Sequence, residues 1–222
     1  VIGSTITELR EVLPEVDLLV VDDGSTDGTP ALAREAGATV LVLPFNLGVG
    51  GALRTGFKYA HRHGYARAIQ VDADGQHDPT QILKVLDGLE QADISIGARF
   101  AGEGDYSVRG PRKWAMKLLA AALSRASGVR LTDVTSGFRA ANRRAIAQYT
   151  EHYPAEYLGD TVDSLMTAVR SGFTVVQVPV AMRPRQGGVP SNNPWKSAVY
   201  LMRSLFALLI ASTRRTSPKA AG

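Results

Sequence analysis

The sequence predicts an α/β fold in which a mainly parallel sheet carries helices on both faces. Three observations support it. A unit of strand, acidic or glycine-rich turn and helix recurs three times from the N-terminal side. The strand segments, residues 18–21, 39–43 and 68–71, are short apolar runs of the kind that helices cover on both sides. Each leads into Asp or Gly residues, at Asp22-Asp23-Gly24, 46–51 and Asp72, at the carboxyl ends where such folds bind ligands.

Element by element, Ile2, Ile6, Leu9 and Leu13 recur at helical spacing ahead of Pro14 and predict a helix over 2–13. The strand over 18–21 is followed by turn and capping residues at 26–29 and a helix over 30–36, closed by Gly37. Next come the strand over 39–43, a glycine-rich turn over 46–51, a helix over 52–63 closed by Gly64, and the strand over 68–71. Beyond Asp72 the pattern predicts a helix over 79–90, a strand over 93–97, a polar loop over 102–110 and an Ala/Leu-rich helix over 114–127. A second polar loop spans 133–139. Helices over 142–149 and 160–171, an alternating strand over 174–180, a loop over 183–194 and an amphipathic helix over 195–211 complete one domain, 1–213, with a polar basic tail at 214–222.

A chain of 222 residues can bury a substantial core. Its formal charge of +4, from 25 basic and 21 acidic side chains, suits an anionic ligand or surface without requiring either. The excess gathers late: no Asp or Glu follows Asp163, whereas Arg183, Arg185, Lys196, Arg203, Arg214, Arg215 and Lys219 do. With no cysteine, disulfides, thiol catalysis, zinc fingers and iron–sulfur clusters are excluded, and a cytoplasmic setting is expected. No apolar run reaches the roughly 18 residues of a spanning helix.

The sharpest local feature is Asp72-Ala73-Asp74-Gly75-Gln76-His77-Asp78-Pro79. Carboxylate and amide oxygens are hard ligands suited to Mg²⁺ or Mn²⁺, which one or two carboxylates hold together with substrate phosphates. Asp72 and Asp74 would meet ribose, metal or phosphate, and Gln76 and His77 would complete the shell. The alternative is a capped turn, with Asp78 as N-cap of the next helix. Asp22 and Asp23 can accept from a nucleobase ring N–H or from ribose, or simply form a turn. Gly48-Val49-Gly50-Gly51 starts like a dinucleotide fingerprint, but Leu53 stands where its third glycine belongs, and there is no P-loop. Those glycines still allow close approach of a nucleotide, toward which Arg54 would point.

Arg99, Arg109, Arg112 and Lys113 follow the fourth strand and are candidates to meet the charge on a departing diphosphate, Arg99 above all. Asp133, Thr135, Ser136, Gly137 and Arg139 suit the wall of a polar or phosphorylated acceptor site. Asp160 and Asp163 are candidate bases toward an acceptor hydroxyl, or else helix-end residues. Arg183 and Arg185 lie in a basic loop able to close over diphosphate. The 195–211 helix suits a membrane surface, the core or a sister subunit.

At these residues the sequence resembles family 2 glycosyltransferases of the GT-A fold, nearest to bacterial relatives of dolichol-phosphate mannose synthase. The matching pieces are VVDDGSTDGT at 20–29, NLGVGGALRTGF at 46–57, VDADGQHDP at 71–79, GAR at 97–99, DVTSGFRA at 133–140 and VPVAMRPRQGG at 178–188, in the expected order along nearly the whole chain. The resemblance implies a Rossmann-like sheet and an inverting transferase that uses a nucleoside diphosphate sugar (GDP or UDP) and Mg²⁺ or Mn²⁺. It implies Asp23 at the base, Asp72 and Asp74 at metal and donor, Gln76 as a further ligand, Arg99 near the donor phosphates or acceptor, and 133–139 as acceptor loop. Asp160 is the choice for the acidic position before the next helix, with Asp163 its competitor, because GDTVD departs from the family's Glu-Pro-Glu-like stretch. The family's first strand and Pro-x-x-Asn-Glu segment are expected just upstream of Ile2. The favoured acceptor is polyprenyl phosphate. A soluble or cell-envelope glycan acceptor, and an inactive nucleotide-sugar-binding scaffold, remain the alternatives. Peripheral contact with the cytoplasmic face of a membrane and self-association are further expectations; a nucleic-acid partner is not.

Overall fold

The structure, a computed structural model, describes residues 1–99, 111–153 and 159–184; of 111–113, 115, 159 and 160 only the backbone is described. Helix α1 (Ile2–Val12) puts Ile6 and Leu9 on its buried side. Strand β1 (Leu19–Asp22), helix α2 (Thr29–Glu35) and strand β2 (Thr39–Val42) follow, with Pro30 in the first turn of α2. Gly37 takes a φ of 91° to turn the chain back. β1 and β2 pair in parallel, Leu19 opposite Thr39.

Helix α3 (Gly48–Arg62) begins earlier than the glycine-rich turn predicted: Gly48 and Gly50 lie in its first turn rather than in a loop ahead of it. Strand β3 (Arg67–Gln70) follows. The single helix expected over 79–90 is a 3₁₀ turn (Pro79–Gln81), helix α4 (Ile82–Asp87) and a second 3₁₀ turn (Gly88–Glu90). The cause lies partly at Gly88, where a Cβ would stand 2.2 Å from Ser95 Oγ, so the backbone there rests directly on the sheet.

Strand β4 (Ile94–Ala98) is buried along its whole length. Helix α5 (Pro111–Ser127), strand β5 (Arg139–Asn142), helix α6 (Arg143–Glu151), a π turn (Gly159–Asp163), helix α7 (Ser164–Arg170) and strand β6 (Val175–Pro179) complete the described chain. The second sheet runs β3-β5-β4-β6. β4 and β6 are parallel, and β5 is antiparallel to both β3 and β4. Three of the four strands therefore share one direction.

Strand β5 has no counterpart among the expected elements. Arg-Ala-Ala-Asn lacks β-branched and aromatic residues. Its small side chains suit its place, since Ala140 and Ala141 are buried on opposite faces of the sheet. On one face Ile94, Ile96 and Ala141 pack with Leu119 and Leu123 of α5, Ile146 of α6 and Leu165 of α7. On the other, Ala140 and Phe138 pack with Leu9 of α1 and with Ile82 and Val85 of α4. The expectation of helices on both faces holds.

The entry end of this sheet is pinned by Asp93. Its Oδ2 accepts from Thr174 N–H at 2.9 Å, Thr174 hydroxyl at 3.0 Å and Arg144 at 2.9 Å, and its Oδ1 from Asn142 at 3.0 Å. Burial works against the charge, but those donors together hold the carboxyl below its ordinary range. Asp93→Asn is expected to cost about 2–4 kcal/mol near neutral pH. Because the folded pKa is depressed, that difference from wild type should be complete above about pH 4 and shrink as pH falls through the folded value. Urea unfolding of both proteins across this range would measure it.

Candidate functional site

The carboxyl ends of β3 and β4 meet the loop that enters β5, and this rim gathers most of the residues singled out in the sequence. Beyond β3 the chain turns at Gly75, φ 77°, a conformation that favours glycine. The N–H of Gln76 donates to Asp74 Oδ1 at 3.0 Å, which folds the turn over its own carboxylate. Asp78 caps the following helical turn as predicted, accepting from Thr80 N–H at 3.0 Å.

His77 is 4 % exposed and turns inward instead of completing a ligand shell. Its Nδ1 accepts from the N–H of Asp72 at 2.9 Å, and its Nε2 lies 3.7 Å from Asp72 Oδ2. The ring stacks on Phe138, with centroids 4.6 Å apart and planes 14° from parallel. Burial is the main influence and pushes the imidazole below its ordinary value. Asp72 and Asp74 pull it upward and Arg99 downward, so all three charges act on this one ring.

Arg99, just past β4, is fixed to the β5 loop. Its Nε donates to Asp133 Oδ2 at 2.7 Å, and its Nη2 donates to Asp133 Oδ1 at 3.0 Å and to the Thr135 hydroxyl at 3.1 Å. Asp133 is 0 % exposed, so its carboxylate holds Arg99 in place and does not line an acceptor pocket as expected. Ser136 is also fully buried, its hydroxyl accepting from Phe138 N–H at 3.3 Å. Arg139 departs from expectation in the same way. Its buried guanidinium donates to the carbonyls of Ser136, Val134 and Thr161, at 2.7, 2.7 and 2.5 Å, and ties the loop to the π turn. Of the acceptor-side set, Thr135 and Gly137 sit at the rim beside Arg99 and Asp72. A Cβ on Gly137 would lie 3.2 Å from Asp72 Oδ2, so the glycine makes room for that carboxylate.

At the end of β1, Asp22 is buried. Its Oδ2 accepts from Ser25 N–H at 3.2 Å, while Oδ1 has no hydrogen-bond partner among the described residues. Asp23 Oδ1 accepts from Leu47 N–H at 2.6 Å, and its carbonyl accepts from Asn46 at 3.0 Å, which seats α3 against the strand end. Gly48 completes the turn at φ 76°.

Two further cations are held away from their expected roles. Arg54 donates to the carbonyls of Thr150 and Glu151 at 3.0 and 3.1 Å, where it meets the negative end of α6 instead of a nucleotide. Arg183 pairs with Glu8 at 2.5 Å and Asp78 at 2.9 Å, locking α1 to the turn after Asp78 instead of reaching for diphosphate. Burial opposes the charge of Asp78, but hydrogen bonds from Thr80 and Arg183 hold its carboxyl low. Arg109, Arg185, the 195–211 helix and the 214–222 tail lie outside the described residues, as do the side chains of Asp160, Arg112 and Lys113. The backbone of Asp160 lies in the π turn, and Asp163 ends it.

Three contributors were given no role in the sequence. Gln70 donates to Asp72 Oδ1 at 3.1 Å. Gln177 receives the N–H of Thr132 at 2.7 Å and donates to the carbonyl of Asp133 at 2.8 Å. Gly97 lets Phe138 approach to where a Cβ would be 2.8 Å from its ring. The two glutamines carried a signal, an amide inside an apolar strand. Gly97 stood in the GAR motif at 97–99, but its packing role needs Phe138 beside it.

Asp72, with a side chain 46 % exposed, and the half-buried Asp74 and Gln76 offer oxygen atoms at the rim. Among the described residues no three acids or histidines form a ready-made metal cage. That donor set fits a hard divalent cation whose shell is completed by substrate phosphates.

The model of the glycosyl transferase family 2 matches residues 1–150. Polyprenol monophosphomannose synthase of Mycolicibacterium smegmatis is 34 % identical over 191 residues, covering 82 % of this chain and 72 % of the relative. Undecaprenyl-phosphate mannosyltransferase of Micrococcus luteus is 32 % identical over 194 residues, covering 83 % and 79 %. Among solved structures, glucosyl-3-phosphoglycerate synthase from Mycobacterium tuberculosis with phosphoglyceric acid superposes with a TM-score of 0.69 at 21 % identity, covering 93 % of this chain and 74 % of that one. The same enzyme with Mn²⁺ and UDP-glucose gives 0.62 at 22 % identity, covering 95 % and 74 %. The fold is GT-A.

Arg99→Ala would leave the buried Asp133 carboxylate without its counter-ion, an expected loss of about 3–5 kcal/mol by chemical denaturation. Combining Arg99→Met with Asp133→Asn is expected to cost clearly less, because no buried charge remains.

Proposed function

The chain belongs to glycosyl transferase family 2, in the branch of the polyprenyl-phosphate mannose synthases, and from that premise we propose that it transfers a sugar from a nucleoside diphosphate sugar to polyprenyl phosphate with inversion. Residues 1–213 act as the catalytic domain. The observation that carries this reading is that Asp72, from the end of β3, and Arg99, from the end of β4, meet the same 133–139 loop, Asp72 beside Gly137 and Arg99 bonded to Asp133 and Thr135. Mannose is the first sugar to test, because the relatives from M. smegmatis and M. luteus are named for it.

The residues divide the work. Asp23, at the end of β1, lies beside the glycine-containing start of α3, a place suited to receiving the nucleoside. Asp72, Asp74 and Gln76 would hold Mg²⁺ or Mn²⁺, which would offset the negative charge growing on the departing diphosphate. Arg99, kept rigid by Asp133 and Thr135, supplies fixed positive charge where donor phosphates and acceptor meet. The acceptor phosphate is already anionic, so its oxygen attacks the anomeric carbon on the face opposite the leaving group without surrendering a proton. A base at Asp160 or Asp163 is required only for a hydroxyl acceptor.

No helix among the described residues is long and apolar enough to cross a membrane. A lipid phosphate presents its headgroup at the surface of a bilayer, and we place the reaction on the cytoplasmic side, where nucleotide-sugars are available.

Mn²⁺-dependent binding of UDP or GDP is expected to weaken at least tenfold in Asp74→Ala, read by calorimetry; unchanged binding removes the metal role. A panel of GDP- and UDP-sugars against polyprenyl phosphate, soluble phosphates and glycans should give a glycolipid product. Nucleotide binding without turnover on any acceptor would leave only a binding protein.

A further inference from the structure

The side chain of Asp72 is 46 % exposed, yet its residue is in contact with His77, the buried side chain of the turn. His77 touches it twice. The N–H of Asp72 points at Nδ1 from 2.9 Å, which makes Nδ1 an acceptor and leaves the ring hydrogen on Nε2. That nitrogen lies 3.7 Å from Asp72 Oδ2, beyond hydrogen-bond range, so its influence on the carboxylate is electrostatic. The ring cannot drift. It stacks on Phe138, which is 0 % exposed, and the backbone of His77 bridges to Met182. The next residue, Arg183, donates its N–H to the Gln76 carbonyl at 2.9 Å. From the other side Gln70 donates to Asp72 Oδ1 at 3.1 Å, and Gly137 leaves the space that Oδ2 occupies.

We propose that His77 is a positioning residue for Asp72: one imidazole, held in a single tautomer, fixes both the main chain and the carboxylate of Asp72 and, through Phe138, sets it against the 133–139 loop. This goes beyond the family assignment and rests on the reading of Asp72 as a cation and donor ligand. A histidine that only filled the core would need neither nitrogen turned toward Asp72. Phenylalanine keeps the stacking partner for Phe138 and removes both nitrogens; asparagine keeps an acceptor near the Nδ1 position.

The test is a double-mutant cycle on the full chain, reading Mn²⁺ affinity in the presence of UDP or GDP from the electron paramagnetic resonance signal of free Mn²⁺, with circular dichroism melting for every variant. His77→Phe is expected to weaken Mn²⁺ binding about 10–100-fold. His77→Asn should recover part of that loss. In the Asp72→Asn background His77→Phe should add clearly less than it costs in the wild type, because the carboxylate that His77 sets is gone. A full, additive loss in that background, or unchanged affinity in His77→Phe while Asp74→Ala is weakened, overturns the proposal. If Asp74→Ala and Asp72→Asn bind Mn²⁺ as the wild type does, the metal reading itself has failed, and this proposal with it. Should His77→Phe not fold, the His77→Asn and Asp72→Asn pair completes the same cycle.

Discussion

The insertion of β5 between β3 and β4, running against both, is the constraint on which the site depends. An antiparallel strand enters the sheet where its parallel neighbours leave it. The residues just before β5 are therefore delivered to the rim where β3 and β4 end. That one pairing brings Asp133, Thr135 and Gly137 beside Asp72 and Arg99, which lie far away in sequence. Shifting the register by one residue would exchange Ala140 with Ala141 across the sheet and swing the loop away from the rim.

Guanidinium groups hold this arrangement together. Arg139 gathers three carbonyls from the β5 loop and the π turn, Arg54 closes α6 onto α3, and Arg183 joins α1 to the turn at Asp78. A planar fork of five donors reaches acceptors on separate segments, whereas a lysine offers three donors on a single atom. In each case the positive charge that looks like a phosphate ligand in the sequence lies inside the scaffold. Arg99 stands between the two roles: it neutralises a fully buried aspartate and shares the neighbourhood of Asp72, Asp74 and His77.

The acidic side of the rim is built on the opposite plan. The carboxylate of Asp72 is held by a glutamine, a histidine and the space above a glycine, yet remains half-exposed. Two carboxylates and an amide do not enclose a cation by themselves. They leave coordination positions for phosphate oxygens, so that cation and donor would arrive together. Solved structures of the same fold superpose over more than nine-tenths of this chain.

The strand–turn–helix rhythm, the apolar faces, the helix cap at Asp78 and the acids at the ends of β1 and β3 are all legible in the order of the residues. These are properties of spacing and side-chain type within a few residues. The ordered motifs of the sequence also pointed to the family that the comparisons show. Only the tertiary structure decided the rest. β5 is four residues of weak strand preference, made a strand by two neighbours the sequence cannot place. Arg54, Arg139 and Arg183 read as ligands because charge is visible in sequence and partners are not; the carbonyls and carboxylates that bind them come from elements up to 175 residues away. His77, which sequence reading set in a ligand shell, faces inward because the Phe138 ring and the Asp72 N–H await it there. Local chemistry names the groups a site can use, and the long-range pairing of the sheet determines which of them face the ligand.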